Sequence, residues 1–147
     1  MFSTKKYTYE ELVRLAFIDE LTGLFNRRWL SENTELVSKK KYVFFLDINN
    51  LKFHNSISHK DGDEYMLKCI QTINLSDDDI LIRYGGDEFL LFSNDTIALH
   101  DITGFSIGHA LLDGAWLHNA MSIANSRMIK NKERYYVSLS IKRIWRE

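Results

Sequence analysis

Two carboxylates and two glycines lie together between two apolar runs near the middle of the chain. The segment from Arg83 to Phe89 reads Arg-Tyr-Gly-Gly-Asp-Glu-Phe, and it separates the apolar residues 80–82 from residues 89–92. Apolar runs around a Gly-Gly tip predict a β-hairpin in which the glycines supply the positive φ of the turn. Gly86 has no side chain to keep a phosphate or ribose from the backbone, and Asp87 offers oxygen to a hard cation. The hairpin therefore suggests a metal and nucleotide site, and an exposed turn with solubilising acids is the alternative.

Another carboxylate stands at the end of an apolar run further upstream. Residues 41–46 (Lys-Tyr-Val-Phe-Phe-Leu) predict a buried strand, which stops at Asp47, and Lys52 follows shortly after. Proteins hold Mg²⁺ by one or two carboxylates together with phosphate oxygens and water, and an ammonium group neutralises further phosphate charge. Asp47 and Asp87 are therefore predicted to share a divalent cation that carries a triphosphate.

A different metal site can be drawn from the segment that follows this strand. Its candidate ligands for a transition metal are His54, His59, Asp61 and Asp63. This alternative is weaker than the Mg²⁺ site, because these residues do not form a closed ligand set at the spacing typical of zinc.

The helices that must position these residues can be predicted from caps and apolar periodicity. Thr8 and Glu11 form a capping-box pattern, so a helix is expected over about residues 8–20, up to a break at Thr22 and Gly23. Further helices are expected over residues 27–37, from Asp63 to about residue 75, and after a cap at Asp113. The apolar positions of the last two are Met66, Leu67, Ile70 and Ile73, then Leu117, Ala120, Met121, Ala124 and Met128.

Strands are expected over residues 41–47, on both sides of the Gly-Gly tip, at residues 104–107 and near the C-terminus. In the last of these, Val137, Leu139 and Ile141 alternate with polar residues. This order of elements predicts an α/β (α+β) sandwich with a mixed, mostly antiparallel central sheet flanked by helices.

The composition limits the possible classes of function. A chain of 147 residues with 45% hydrophobic content can bury one core, so a single domain over residues 1–147 is expected. The formal net charge of -1 provides no general attraction for a nucleic acid polymer. Cys69 is the single cysteine and is expected to pack as an apolar residue, which suits a reducing cytoplasm. Without a membrane-length apolar run or a signal peptide, we expect a cytoplasmic protein with no membrane partner.

Four blocks in order make the chain resemble a GGDEF domain, the catalytic module of diguanylate cyclases, in a short and minimal form. They are Ala16 to Arg28, Asp47 to Lys52 with Asn55 and Gly62-Asp63, the Gly85-Gly86 hairpin, and Ser106 to Gly108 with residues 124–132. The resemblance implies a palm-like nucleotide cyclase fold. It also implies that two GTP molecules are condensed into cyclic di-GMP across a homodimer, with release of pyrophosphate and with Mg²⁺ or Mn²⁺ as cofactor.

The roles of the metal and phosphate residues come from this resemblance. Asp47, the backbone carbonyl of Ile48 and Asp87 match the metal ligands of the family. Asp87 and Lys52 match catalytic positions, where Asp87 would also help to remove a proton. Lys52 and Lys132 match lysines that hold the phosphates, and a solvated helix face is the alternative for either lysine.

The residues that would contact the rest of the nucleotide also come from the resemblance. Gly86 matches a residue that lies against the nucleotide, and Asn55 and Asp63 match residues that bind the guanine edge. A carboxylate accepts from the N1–H and the exocyclic amine of guanine together, a pair that adenine lacks, so Asp63 favours GTP over ATP.

The chain also departs from the family pattern. The spacing from Asp47 to Asp63 is one residue shorter than in the family, and the segment between Phe89 and Ser106 is much shorter. The Gly-Arg-Asn that often follows the family lysine is absent, which leaves Arg134 as a candidate replacement. An active diguanylate cyclase, a catalytically weak or inactive GTP-binding module, and a synthase of a different cyclic nucleotide therefore all stay open.

Regulation is expected to depend on other polypeptides or segments. Only a few residues precede the first predicted helix, so no sensor domain is visible in this sequence. Dimerisation would come from the domain itself or from a separate sensor or dimerising protein, unless the sequence is an excised fragment of a longer chain.

Overall fold

The computed structural model describes residues 5–146, apart from the side chains of residue 141 and residues 143–146. Within this range five strands form one sheet: β1 (Phe25–Asn26), β2 (Tyr42–Ile48), β3 (Ile80–Arg83), β4 (Glu88–Ser93) and β5 (Phe105–Leu111). The helices described are α1 (Tyr9–Phe17), α2 (Arg27–Glu32), α3 (Thr34–Ser38), α4 (Leu51–Ile57), α5 (His59–Gln71) and α6 (Leu117–Arg146). A short 3₁₀ helix, Ile97–Leu99, lies between β4 and β5.

The sheet has the strand order β1-β3-β4-β2-β5. β1 runs parallel to β3, and the other neighbouring pairs are antiparallel. The prediction of a mixed, mostly antiparallel sheet flanked by helices is therefore confirmed. β2 lies between β4 and β5, and its residues from Val43 onward are buried. A strand that is covered on both faces reads as a continuous apolar run, as this one does.

The two faces of the sheet are covered by different helices. Phe45 points to the face covered by α6, where it packs with Ala120, Ala124 and Met128. Phe44, its neighbour in β2, points to the opposite face, where α5 contributes Met66. The backbone of α6 lies directly on β5, because a Cβ added at Gly108 would be 2.2 Å from the carbonyl oxygen of Ala124. A side chain at residue 108 would therefore push α6 away from β5.

The predicted helices form with altered boundaries. The capping box of Thr8 and Glu11 is present, and α1 ends at Phe17 because Ile18 is extended and bridges to Phe25. The helix predicted over residues 27–37 is two helices that separate at Asn33. α5 begins at His59, before Asp63, because the Ser58 side chain accepts a hydrogen bond from the N–H of Asp61.

The strand predicted around Val137, Leu139 and Ile141 is wrong, because these positions belong to the 30-residue helix α6. No glycine or proline follows Gly114 in the sequence, so the backbone contains none of the usual helix breakers. α6 begins at Leu117, and Asp113 lies too far upstream to cap it as predicted. Over residues 5–146, no helix combines the length and the apolar character needed to cross a membrane.

Candidate metal and nucleotide site

Three carboxylates meet where β2 ends beside the start of β4. Asp47 and Glu88 are direct partners in the antiparallel ladder, and the N–H of Ile48 donates to the carbonyl of Asp87 at 3.0 Å. Carboxylate oxygens of Asp47, Asp87 and Glu88 all lie within 4.8 Å of one another. The structure thus brings together the two acids that the sequence analysis paired and adds a third. Clustered hard oxygen donors of this kind suit Mg²⁺ or Mn²⁺.

The three carboxylates of this cluster repel one another, and the pKa values of Asp47 and Glu88 are raised. Asp47 is only 8% exposed. Burial raises the pKa of Asp47, as does the charge of Asp87, while a hydrogen bond from Lys132 lowers it. Burial also raises the pKa of Glu88, and the charges of Asp47 and Asp87 raise it further. Since carboxylates that share a site resist ionising together, the cluster favours a bound cation.

Lys132 extends from α6 into the acidic cluster. Its Nζ donates to Oδ1 of Asp47 at 2.5 Å and lies 3.4 Å from the backbone carbonyl oxygen of Ile48. The lysine is half-buried and paired, rather than placed on a solvated helix face. Its ammonium group contacts two of the three groups that the resemblance assigned to the metal.

A pocket of about 540 Å³ opens beside the cluster and is bordered by α6. Asp47, Glu88 and Lys132 lie on its polar side, and apolar residues such as Met128 cover the helix side. Tyr136, one helical turn after Lys132, also lines this pocket. Arg134 lines an adjoining pocket with Lys130 and Ser138, whereas Lys132 lines the pocket beside the acidic cluster.

The tip of the hairpin leaves its backbone open to solvent. The N–H groups of Tyr84 and Gly85 both donate to the carbonyl of Glu88, at 2.8 and 3.1 Å. The expected positive φ at the tip is wrong, because the glycines with positive φ in the described range are Gly23, Gly104 and Gly114. A Cβ added at Gly86 would meet no described atom within 4 Å, so no contact within the chain requires glycine there, and the space beside this backbone is open.

Arg83 holds the tip from behind, a role that the sequence analysis did not assign. Its Nη1 lies 3.0 Å from Oδ2 of Asp19, and its Nη2 donates to the carbonyl of Gly86 at 2.8 Å. Burial opposes ionisation of Asp19, but hydrogen bonds from Thr22 and Arg83 outweigh it and lower the pKa of that carboxyl. The segment after α1 is thereby attached to the hairpin.

The residues matched to the phosphates and the base lie on two surface helices. Lys52 and Asn55 are on α4, Asp63 is on α5, and all three are exposed. The two helices approach closely at Gly62, where an added Cβ would be 1.7 Å from Oδ1 of Asn55. The position of the Asn55 side chain therefore depends on the absence of a side chain at residue 62.

The alternative transition-metal set has other contacts. His54 stacks on Tyr65 with ring centroids 3.8 Å apart, and Asp61 accepts a hydrogen bond from the hydroxyl of Ser58 at 2.6 Å. Among the residues described, the group of three carboxylates at the end of β2 is the set whose ligand atoms cluster tightly enough to hold an ion.

Glu88 and Tyr136 line the site, although the sequence patterns assigned neither of them a role. Glu88 is the polar residue at the start of the apolar run 89–92, and this signal alone could have indicated a functional role. Its position opposite Asp47 depends on the pairing register of two distant strands. Tyr136 was not predicted, because the residues after it were expected to form a strand, and only the continuous helix α6 places Tyr136 one turn after Lys132.

Comparisons with known proteins find similar sequences over most of the chain. A family model described as the diguanylate cyclase GGDEF domain matches residues 16–103, which is more than half of the chain. The probable diguanylate cyclase DgcJ of Escherichia coli is 29% identical over 154 residues, covering 85% of this chain and 31% of its own length. The diguanylate cyclase DgcP of the same organism is 34% identical over 92 residues, covering 56% of this chain and 27% of its own length.

A solved structure shares the fold. The coiled coil and GGDEF domain of DgcB from Caulobacter crescentus, crystallised in complex with c-di-GMP, matches with a TM-score of 0.69 and 22% identity, covering 84% of each chain. The present chain spans less than a third of the length of these two curated relatives. The matched region is 31% of DgcJ and 27% of DgcP.

Proposed function

Because the chain belongs to the GGDEF domain family of diguanylate cyclases, we propose that it condenses two GTP molecules into cyclic di-GMP with release of pyrophosphate. The observation that carries this proposal is the cluster of Asp47, Asp87 and Glu88 beside the half-buried Lys132. We also propose that residues 1–147 form one domain of this type, which the single sheet with its two helix-covered faces supports.

The residues at the end of β2 are suited to hold Mg²⁺ or Mn²⁺. The donors would be the three clustered carboxylates, which lie within 4.8 Å of one another, and the carbonyl of Ile48. When bound, such a cation neutralises phosphate charge and lowers the pKa of the attacking hydroxyl. Asp87, at the tip of the hairpin, would also accept the proton that this hydroxyl releases.

Two lysines and a glycine would hold the phosphates. Lys132 would move from Asp47 to the phosphates once a cation neutralises that carboxylate. The phosphate oxygens would then carry more negative charge than Asp47 and would attract the ammonium group more strongly. Lys52 is exposed in the first turn of α4, where it would bind phosphate oxygens. The open backbone at Gly86 would let the nucleotide approach without steric conflict.

Guanine would be bound between α4 and α5. Asn55 and Asp63 are exposed polar residues on these two adjoining helices. The carboxylate of Asp63 accepts from two neighbouring donors of guanine, so the site would select GTP over ATP.

The reaction requires two copies of this site. The 3'-hydroxyl of each GTP attacks the α-phosphate of the other, the bond from each α-phosphorus to the α,β-bridging oxygen breaks, and two pyrophosphates leave. One cluster of Asp47, Asp87 and Glu88 is proposed to hold one nucleotide, so a second copy must present the other. We therefore propose a homodimer as the active form, assembled by the domain itself or by a separate sensor or dimerising protein.

A catalytically weak or inactive GTP-binding module is the second candidate function. It is favoured because Arg134 lines a different pocket from Lys132. A phosphate site with fewer cationic side chains would bind the substrate less tightly.

The decisive experiment is incubation of the concentrated protein with GTP and Mg²⁺, with ATP in parallel and mass identification of the products. The first proposal predicts cyclic di-GMP from GTP, lost in Asp87→Ala and retained in Asp78→Ala, an exposed acid of the turn before β3. GTP binding without product would favour the second candidate. Wild-type turnover in Asp87→Ala would show that the assignment of the metal site is wrong.

A further inference from the structure

The turn between β2 and α4 is held by two tyrosines from the far end of the chain. Asn50 has φ 63° and ψ 13°, the left-handed conformation that asparagine tolerates better than most residues. Its side-chain Nδ2 donates to the hydroxyl of Tyr135 at 2.7 Å, and its backbone N–H donates to the hydroxyl of Tyr136 at 3.2 Å. Within the described range 5–146, Asn50 is the non-glycine residue with a positive φ. α6 therefore supplies the partners of a turn whose backbone is intrinsically disfavoured.

The residue before Asn50 is fixed in the protein interior. Asn49 is buried, and its Oδ1 accepts from the hydroxyl of Ser106 at 2.7 Å. Its carbonyl accepts from the hydroxyl of Tyr65 at 2.8 Å, and its N–H donates to the carbonyl of Gly104 at 2.8 Å. The end of β2 thus cannot shift without breaking several hydrogen bonds.

The element after Asn50 is much less constrained. All residues of α4 are exposed or half-buried, and this helix packs mainly on α5. Asn50 occupies the N-cap position of α4, yet its side chain makes no capping hydrogen bond and contacts α6 instead. Asn50, at which the chain turns from β2 into α4, is therefore held by two hydroxyl groups of α6.

We infer that Tyr135 and Tyr136 are positioning residues that orient α4, and with it Lys52 and Asn55, relative to the acidic cluster. The inference concerns GTP binding and in that respect rests on the proposed function. Lys132 lies one turn before Tyr136 on the same helix, so α6 places a phosphate-binding lysine and also fixes the helix that carries the other contacts. A single helix would then set the distance between the two ends of the nucleotide site.

The test uses the double variant Tyr135→Phe/Tyr136→Phe, which removes both hydroxyls and keeps both rings. The matched control is Tyr9→Phe on α1, whose side chain is 81% exposed. Hydrogen exchange of the amides in α4 is measured without ligand. Loss of two hydrogen bonds should speed this exchange about tenfold in the double variant and leave it unchanged in the control.

Affinity is then measured by calorimetry with Mg²⁺ and a GTP analogue whose α,β-bridging oxygen is a methylene, so that it is not consumed. We expect about tenfold weaker binding in the double variant. In turnover assays with GTP, KM should rise more than kcat falls. In an Asn55→Ala background the same two changes should weaken binding by a smaller factor, because one of the contacts that α4 positions is already missing.

Each outcome decides the inference. Faster exchange with weaker binding supports it, whereas unchanged exchange, or faster exchange with unchanged affinity, overturns it. If the wild-type protein does not bind the analogue, the proposed function fails. The exchange experiment needs no ligand, so it then still decides whether the tyrosines hold α4.

Discussion

The acidic end and the base-binding end of the proposed site are built from different kinds of structure. Asp47 and Glu88 stand opposite each other on β2 and β4, which pair continuously from Tyr42 to Asp47. Asn55 and Asp63 are exposed residues of the helices α4 and α5 beside the sheet. Strand register fixes the carboxylates to within a few ångströms, while the helical residues depend on the contact of Gly62 with Asn55 and on the hydrogen bonds of Asn50 to α6.

This difference separates two kinds of mutational effect. At the acidic end, an isosteric substitution should remove chemistry while the strand pairing preserves the fold. At the helical end, a change in local packing should weaken nucleotide binding and reduce stability together. Substitutions at the two ends can test this difference, beginning with the one of largest expected effect.

Replacement of Asp47 by asparagine should abolish most of the turnover. Asp47→Asn keeps the shape of the side chain but removes the charge nearest to Lys132. If several kcal/mol of catalysis come from metal binding, turnover should fall at least about a hundredfold. Pyrophosphate release under saturating GTP and Mg²⁺ measures this, with the exposed Asp101→Asn as control. Turnover at the wild-type rate would remove the acidic cluster from the mechanism.

Replacement of Lys132 by methionine should lower the affinity for the nucleotide and raise the affinity for Mg²⁺ alone. Near pH 8, Lys132→Met should weaken binding of the methylene GTP analogue with Mg²⁺ about tenfold, because a charge-assisted hydrogen bond is lost. Mg²⁺ alone should bind more tightly, since the ammonium group no longer competes for Asp47. Loss of that hydrogen bond also raises the pKa of Asp47 further, so metal binding should require a higher pH than in the wild type.

Two calorimetric titrations, with Mg²⁺ alone and with the analogue, measure both effects. Lys130→Met, an exposed lysine on the same helix, is the matched control. If Lys132→Met weakens both ligands equally, Lys132 acts as a structural support and not as a movable phosphate ligand.

A methyl group at Gly62 should disturb the base-binding end through Asn55. In Gly62→Ala the new Cβ would lie 1.7 Å from Oδ1 of Asn55, so this side chain must rotate away. We expect about 1 kcal/mol of destabilisation in urea unfolding, together with severalfold weaker binding of the GTP analogue.

The Asn55→Ala background isolates this clash. There the nearest remaining Asn55 atom to the new methyl group is the Cα, at 3.5 Å, which is an ordinary contact. Gly62→Ala should then cost little stability. An equal cost in both backgrounds would mean that the strain lies elsewhere in the packing of α4 on α5.

The parts of the fold that depend on local sequence could be predicted, and those that depend on long-range pairing could not. The capping box at Thr8 and the apolar run ending at Asp47 are local signals, and both elements form. The segment around Val137 carries two periodicities. Its half-buried positions 132, 135 and 139 follow helical spacing, and the structure forms the helical pattern at these residues.

The candidate site shows the same limit. Residue type alone predicted that Asp47 and Asp87 share a cation, whereas their closeness follows from the pairing of β2 with β4. The ion pair of Lys132 with Asp47 and the hydrogen bonds from Asn50 to α6 join residues about 85 positions apart. Such contacts depend on how α6 crosses the sheet, which no local pattern encodes.

The smallest predicted effect concerns the stability of the acidic end without a ligand. Because the pKa values of Asp47 and Glu88 are raised in the folded state, each group destabilises the fold above its folded pKa, and this cost vanishes below the usual values of 3.8 and 4.5. Asp19 behaves oppositely. Its lowered pKa stabilises the fold above 3.8, and that contribution is lost as the pH falls through the folded value.

Glu88→Gln should therefore stabilise the metal-free protein near pH 7, and the gain should disappear in acid once Glu88 is protonated in both states. Since Glu88 is partly exposed and screened by solvent, the gain should be only about 0.5 kcal/mol in urea unfolding. Excess Mg²⁺ should reverse the order, because it stabilises the form that binds it better, which is the wild type. The exposed Glu32→Gln should show neither effect. If the free energy of unfolding of Glu88→Gln equals that of the wild type with and without Mg²⁺, the three carboxylates do not act as a unit. Strand pairing would then fix their positions without any coupling between their charges.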